Sequence, residues 1–198
     1  MSTRHTDEPI SRVSESTNSR ERQLNRMPDV SVVVCTGRPG NYASRPRIVE
    51  KLGLPPERYA TIIHPAATVS ATSQVGPGSV LLAQTVLTAA VTVGSHVAIM
   101  PHVTLTHDDV VSDFATLASG VCLGGGVRVG WCAYIGAGAL VREHLSVGSG
   151  ALVGMGAIVT RDIPPHEVWA GVPARHVRKT DAIVTSHPAS TDRNHAVR

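Results

Sequence analysis

Aromatic side chains are almost missing from this chain, with one Phe, two Trp and three Tyr among 198 residues. So few rings offer no platform for stacking bases, and the 18 Lys and Arg set against 15 Asp and Glu form no basic stripe, so nucleic acid is not an expected partner. Three cysteines, Cys35, Cys122 and Cys132, make neither a disulfide framework nor a paired metal-ligand motif. They read as small apolar side chains. Charge is scarce through the middle, where only eight residues between Ile63 and Ile163 carry it, so the net charge of +3 comes largely from the ends. No apolar run is long enough to span a bilayer, and the polar first 26 residues contain no glycine and no apolar signal-peptide core. A cytoplasmic protein without membrane insertion is the expectation.

What the chain does have is a period. Ile, Leu or Val stands at every sixth position in seventeen consecutive places: Ile63, Val69, Val75, Leu81, Leu87, Val93, Ile99, Leu105, Val111, Leu117, Leu123, Val129, Ile135, Val141, Val147, Val153 and Val159. A period of six is neither the helical spacing of about 3.6 nor the strand spacing of about two. Such a repeat is a solenoid signature. It predicts a mainly β fold, a left-handed parallel β-helix of five to six coils, in which each hexad is a short strand and a turn and three hexads close a triangular coil. Two residues before each aliphatic position the side chain is small or apolar in sixteen of seventeen cases, and Asp109 is the exception, expected either to turn outward or to carry a shifted pKa. Glycine follows the aliphatic residue at Gly76, Gly94, Gly130, Gly136, Gly148 and Gly154, where tight turns are expected to need unusual backbone angles.

The rest of the chain is organised around that repeat. Residues 1–27 read as a disordered tail rich in Ser, Arg, Glu, Thr and Asn. Residues 28–60 hold a strand pattern, Val30 to Cys35, and a helix pattern, Ser44 to Leu52, expected to cover the first coil as a short α/β segment. The β-helix spans 61–163, a proline-bearing cap spans 164–179, and 180–198 reads as a flexible tail.

Stacking makes a column of side chains readable, because residues eighteen apart lie about 4.8 Å above one another. At His107 and Asp108 the coil below supplies Ala89 and Ala90, and the coil above supplies Gly125 and Gly126. A histidine and a carboxylate thus sit in a hollow lined by residues with almost no side chain. His107 is a candidate general base, Asp108 would hold its tautomer and raise its basicity, and the Gly125 amide would receive an oxyanion.

Those residues carry a resemblance. Ile63-His64-Pro65, Thr106-His107-Asp108, Val111-Ser112-Asp113-Phe114, Leu123-Gly124-Gly125-Gly126-Val127 and Ala170-Gly171-Val172-Pro173-Ala174 make residues 63–177 similar to the hexapeptide-repeat acyltransferases, in particular the bacterial sugar O- and N-acetyltransferases of glycan and polysaccharide synthesis. The resemblance implies transfer of an acetyl group from acetyl-CoA to a hydroxyl or amine of a sugar or sugar nucleotide, in a homotrimer whose sites lie between subunits, and with no metal. It implies His107 as base, Asp108 tuning it, and Thr116, Gly125, Ala137 and Met155 lining the acetyl and pantetheine groups. Relatives open with a complete nucleotide-binding α/β domain, of which one strand and one helix are expected here, with Gly37 as a remnant of the substrate site. Thr116 stands where relatives often carry a second histidine.

Two other function classes compete. His102 and His107 have the spacing of two zinc ligands in β-helical γ-type carbonic anhydrases, but the third ligand position falls on Ala66. A catalytically inactive β-helix scaffold is the other alternative, and intact His107, Asp108 and Gly125 argue against it. His64, His96, His144, His166 and His176 read as surface or capping residues, Trp131 and Trp169 as packing, and Arg175, Arg178 and Lys179 as either solvated or placed for CoA phosphates.

Overall fold

The computed structural model describes Met27 and residues 29–180, and its body is one repeated unit. Seventeen two-residue strands recur every six residues from β1 (Ile62–Ile63) to β17 (Ile158–Val159). They stack in parallel on three faces, each residue pairing with the one eighteen positions on, as Ile62 does with Val80 and Thr116 with Tyr134. The first face holds the strands that begin at Ile62, Val80, Ala98, Thr116, Tyr134 and Leu152; the second, those at Thr68, Val86, Thr104, Cys122, Leu140 and Ile158; the third, those at Gln74, Thr92, Val110, Arg128 and Ser146. The hexad therefore yields the left-handed β-helix of five to six coils that the period requires.

The second residue of each strand points into the prism. From Leu81 to Val159 this series is buried, at 3% exposure or less, and the small corner residues Val91, Ala115, Val127, Ala133 and Ala151 fill the space between. Burying each aliphatic side chain is worth roughly 1.5–3 kcal/mol, so the stack as a whole, rather than any local propensity, holds two-residue strands in place.

After the first two turns, at Ala66 and Thr72, each turn of the repeat contains one left-handed residue. From Gly78 to Gly156 every sixth residue has positive φ, and the series includes Gln84, Ala90, His96, His102, Asp108, Phe114, Cys132 and His144 as well as glycines. None of the six glycines expected to need unusual angles has positive φ, Gly94 and Gly154 included, and Gly76, Gly130, Gly136 and Gly148 show the reason they are glycine. A Cβ at each of these four would come within 3.0 Å of the backbone of the next coil. Close approach between coils, two residues ahead of the left-handed position, is what excludes a side chain there.

The flanking segments close only part of the prism. α1 (Ser44–Leu52) is the one α-helix among the described residues and has the bounds expected from sequence. Val30 to Cys35 forms no strand, because among the described residues its one ladder contact is the single bridge from Val32 to Tyr59. The segment lies mainly along the first face rather than across the open first coil: the Tyr42 hydroxyl donates to Gly150 O at 2.9 Å, and Tyr42 packs with Ala118, Cys132 and Tyr134. The first coil is left with Ile62 and Ile63 more than two-fifths exposed. At the other end β18 (Glu167–Ala170) continues the first face in parallel with the strand at Leu152, and β19 (Arg175–Lys179) turns back antiparallel and ends it. The tails expected at 1–27 and 180–198 lie outside the described residues, apart from Met27 and Thr180. Among the described residues no helix is long and apolar enough to cross a membrane.

Candidate active site at a prism corner

The corner between the second and third faces brings together three of the residues singled out from sequence. Successive coils are tied there by a ladder of turn bonds: Asp108 N donates to Ala89 O at 3.0 Å, Gly126 N to His107 O at 2.8 Å, and His144 N to Gly125 O at 2.9 Å. These bonds fix the His107–Asp108 turn against the glycine turn above it. The Thr106 hydroxyl adds a bond to Leu123 O at 3.1 Å.

His107 Nδ1 lies 2.8 Å from Asp108 Oδ2. A carboxylate only accepts, so the proton of the neutral imidazole sits on Nδ1, and Nε2 keeps its lone pair. Both side chains are well exposed, 62% for His107 and 68% for Asp108. The free edge of the ring lies over Gly125, where a Cβ would overlap Cε1 and Nε2. Gly124 N and Gly126 N are used in donating to Val141 O and His107 O, whereas Gly125 N makes no backbone bond among the described residues. A basic nitrogen and a spare amide thus meet at one glycine, the parts needed to deprotonate a nucleophile and hold a developing oxyanion. Asp108 is at φ 61°, a left-handed conformation that Asp tolerates better than most residues.

The other expected contacts are not at this corner. Ala137 and the 80%-exposed Met155 stack at the corner between the first and second faces. Thr116 lies on the first face at 1% exposure, sealed by the N-terminal segment: Arg45 Nη2 donates to Thr116 Oγ1 and Ala115 O, both at 2.8 Å, and to Phe114 O. Desolvation lowers the pKa of this buried guanidinium. Gly37 packs over the same Arg45, with Thr116 Oγ1 3.5 Å from where its Cβ would be. Thr116 and Gly37 therefore belong to one buried contact, remote from His107.

Sequence reasoning missed that contact, and it missed His96. This histidine is 7% exposed, stacked on Phe114 at 5.0 Å and met edge-on by Tyr59 at 4.6 Å, and burial lowers its pKa. Asp109 points inward at 0% exposure rather than outward. Burial pushes its carboxyl up to about 6. Of the cysteines only Cys132 is buried; Cys35 is exposed. His102 lies at the corner between the first and second faces, away from His107, and no three potential metal ligands cluster among the described residues. Arg175, Arg178 and Lys179 are exposed on β19.

No family model matches the chain. Solved structures do. The acetyltransferase domain of PglB from Neisseria gonorrhoeae, in complex with acetyl coenzyme A, is 33% identical, with 79% of this chain and 76% of that one covered and a TM-score of 0.72. The chain belongs to the hexapeptide-repeat sugar acetyltransferases. PerB from Caulobacter crescentus, in complex with CoA and GDP-perosamine, is 26% identical to this family member over 81% of its chain and 76% of PerB, with a TM-score of 0.74. Among curated relatives, galactoside O-acetyltransferase of Escherichia coli is 33% identical over 89 residues. The match spans less than half the length of the curated relatives, 45% and 44% of the first two.

Proposed function

We propose that the protein is an acetyl-CoA-dependent acetyltransferase acting on a hydroxyl or amino group of a sugar or sugar nucleotide. The observation that carries this reading is the packing of the His107 ring edge, Nε2 included, against Gly125, whose amide makes no backbone bond among the described residues, at a corner where Asp108 leaves Nε2 basic. The acceptor O–H or N–H gives its proton to Nε2 as its heteroatom attacks the thioester carbonyl. The carbonyl oxygen becomes an oxyanion in reach of the Gly125 N–H. Collapse expels the CoA thiolate, which takes the proton from the imidazolium while Asp108 faces the charged ring.

Ala137 and Met155 suit the pantetheine arm, being small or apolar and exposed, but they lie at a different corner from His107. A site using both needs a second copy of the chain, and this supports a homotrimer with acetyl-CoA held between subunits. Thr116, buried under Arg45, has no part in the proposed site. Bacterial glycan synthesis in the cytoplasm is the setting we infer, from the sugar and nucleotide-sugar acetyltransferases among the relatives.

Free-thiol release from acetyl-CoA, measured against a panel of amino sugars, neutral sugars and sugar nucleotides, tests the reading; acceptor-dependent release is expected. Asp108→Asn should lower kcat about tenfold, and Asn also tolerates left-handed φ, so the effect reports the lost charge and not backbone strain. Acceptor-independent hydrolysis alone, or none at all, would overturn the assignment.

A further inference from the structure

The interior corner positions carry a repeated device. Thr61, Ser73, Ser79 and Thr85 each donate a hydroxyl to the carbonyl fifteen residues on: Gly76 O at 3.2 Å, Thr88 O at 2.8 Å, Gly94 O at 2.7 Å and Met100 O at 3.4 Å. Ser73 and Ser79 also accept from the amide eighteen residues on, Val91 N at 3.0 Å and Val97 N at 2.9 Å. One hydroxyl thereby grips both ends of the turn on the coil above, as donor at one end and acceptor at the other.

Asp109 occupies the same column as Ser73, two coils higher, with Val91 between them and Val127 above. Its Oδ1 accepts from Val127 N at 2.8 Å, eighteen residues on, as the serines do. Its buried Oδ2 accepts no hydrogen bond of good geometry, and the Thr106 amide also acts on the carboxylate. By the offset that the four hydroxyls share, the carbonyl corresponding to theirs is Gly124 O. The turn bracketed between Gly124 and Val127 is the one that carries Gly125.

We propose that Asp109 is a positioning residue for the His107 corner, clipping the glycine turn at Gly124 and Val127 so that the Gly125 amide is held in place above the imidazole. The inference rests on the reading of His107 and Gly125 given above. Only the protonated acid completes the clip, because a carboxylate has no hydrogen to give Gly124 O and leaves two acceptors facing each other. Burial, the largest influence, raises this group to about 6, with the Val127 and Thr106 amides and His107 pulling it down and Asp108 pushing it up. Those last two, on its own turn, are the charged groups that act on it. The coil below presents alanines and Val91 and the coil above glycines and Val127; one coil further up stand Glu143 and His144, the latter with its ring against Gly126. The clip is thus closed at mildly acid pH and loosens at one end as the medium becomes alkaline.

The test uses the full chain with Asp109→Ser, which copies Ser73 and does not titrate, and Asp109→Val, which copies Val91 and Val127 and has no clip. Both residue types already occupy this column, so both variants should fold. In a pH titration followed by NMR, the Gly125 amide of the parent should shift with a midpoint near 6. Asp109→Ser should abolish that step and keep any step due to His107. In the acetyl-transfer assay Asp109→Val should lower kcat about tenfold with the KM for acetyl-CoA unchanged, and Asp109→Ser should restore kcat and flatten its decline above pH 6. A Gly125 titration identical in parent and Ser variant would overturn the proposal even if no acetyl transfer were found, which separates its failure from that of the proposed function. Parental kcat in Asp109→Val across the pH range would overturn it too.

Discussion

The first face and the corner between the second and third faces are built from the same hexad, yet one is sealed and the other open. On the first face the outward side chain of Thr116 is 1% exposed, because Arg45 and the N-terminal segment lie on it. At the corner His107 and Asp108 are more than three-fifths exposed, and their neighbours above and below are alanine and glycine. The period decides which residues enter the core and is silent about the outside. Function is written in the outward and turn positions, where stacking lets one coil's side chain meet the next coil's backbone.

The strongest way to break the comparison is to remove what the two regions share. Val129→Asp places a carboxylate at a 1%-exposed position among aliphatic side chains, at a cost of several kcal/mol. Its far-ultraviolet circular dichroism should lose the cooperative melt of the parent. His107→Ala attacks only the open corner: kcat should fall about 10²–10⁴-fold with an unchanged melting temperature. Full acetyl transfer by that variant would remove His107 from the mechanism.

Asp109 supplies a pH signature. Its folded-state pKa of about 6 lies above the ordinary 3.8, so the folded protein holds the proton more tightly than the unfolded chain does. The stabilisation is complete below pH 3.8 and is lost as pH rises through 6, a change of about 3 kcal/mol. Urea unfolding of parent and Asp109→Asn, compared at pH 4.5 and 7.5, should show the parent losing stability relative to the variant at the higher pH. The smallest expected effect is on the sealed face. Arg45→Met removes the donor to Phe114 O and Thr116 Oγ1, while Ala115 O keeps its bond from Ala98 N, and should cost roughly 1–3 kcal/mol, read from the urea midpoint, while kcat stays within about twofold of the parent.

The contrast also explains what the sequence disclosed. The series from Ile63 to Val159 revealed the core because a solenoid's long-range contacts recur at a fixed offset, and the same offset placed Gly125 over His107. Arithmetic in units of eighteen also puts Thr116, Ala137 and Met155 on other faces and corners than His107, so within one chain only Gly125 of the four expected cofactor contacts shares its corner. Arg45 with Thr116, and Tyr59 with His96 and Phe114, join an aperiodic segment to the repeat, so no spacing announces them. The glycines after the aliphatic positions pointed to a backbone constraint but not to its kind, because steric room for a neighbouring coil and freedom of φ demand the same residue.

Among the described residues the first coil is uncovered, which has a consequence for how the prism comes apart. Each coil touches only its neighbours, so local opening should propagate like a zipper from a free end. Ile62 and Ile63 are exposed at one end, whereas β18 and β19 close the first face at the other. Amide hydrogen exchange should therefore be fastest near Ile62 and slow steadily towards Leu105 and Leu123, whose strands lead into the His107 and Gly125 turns. The proposed site is lodged in the part of the molecule that should fray last.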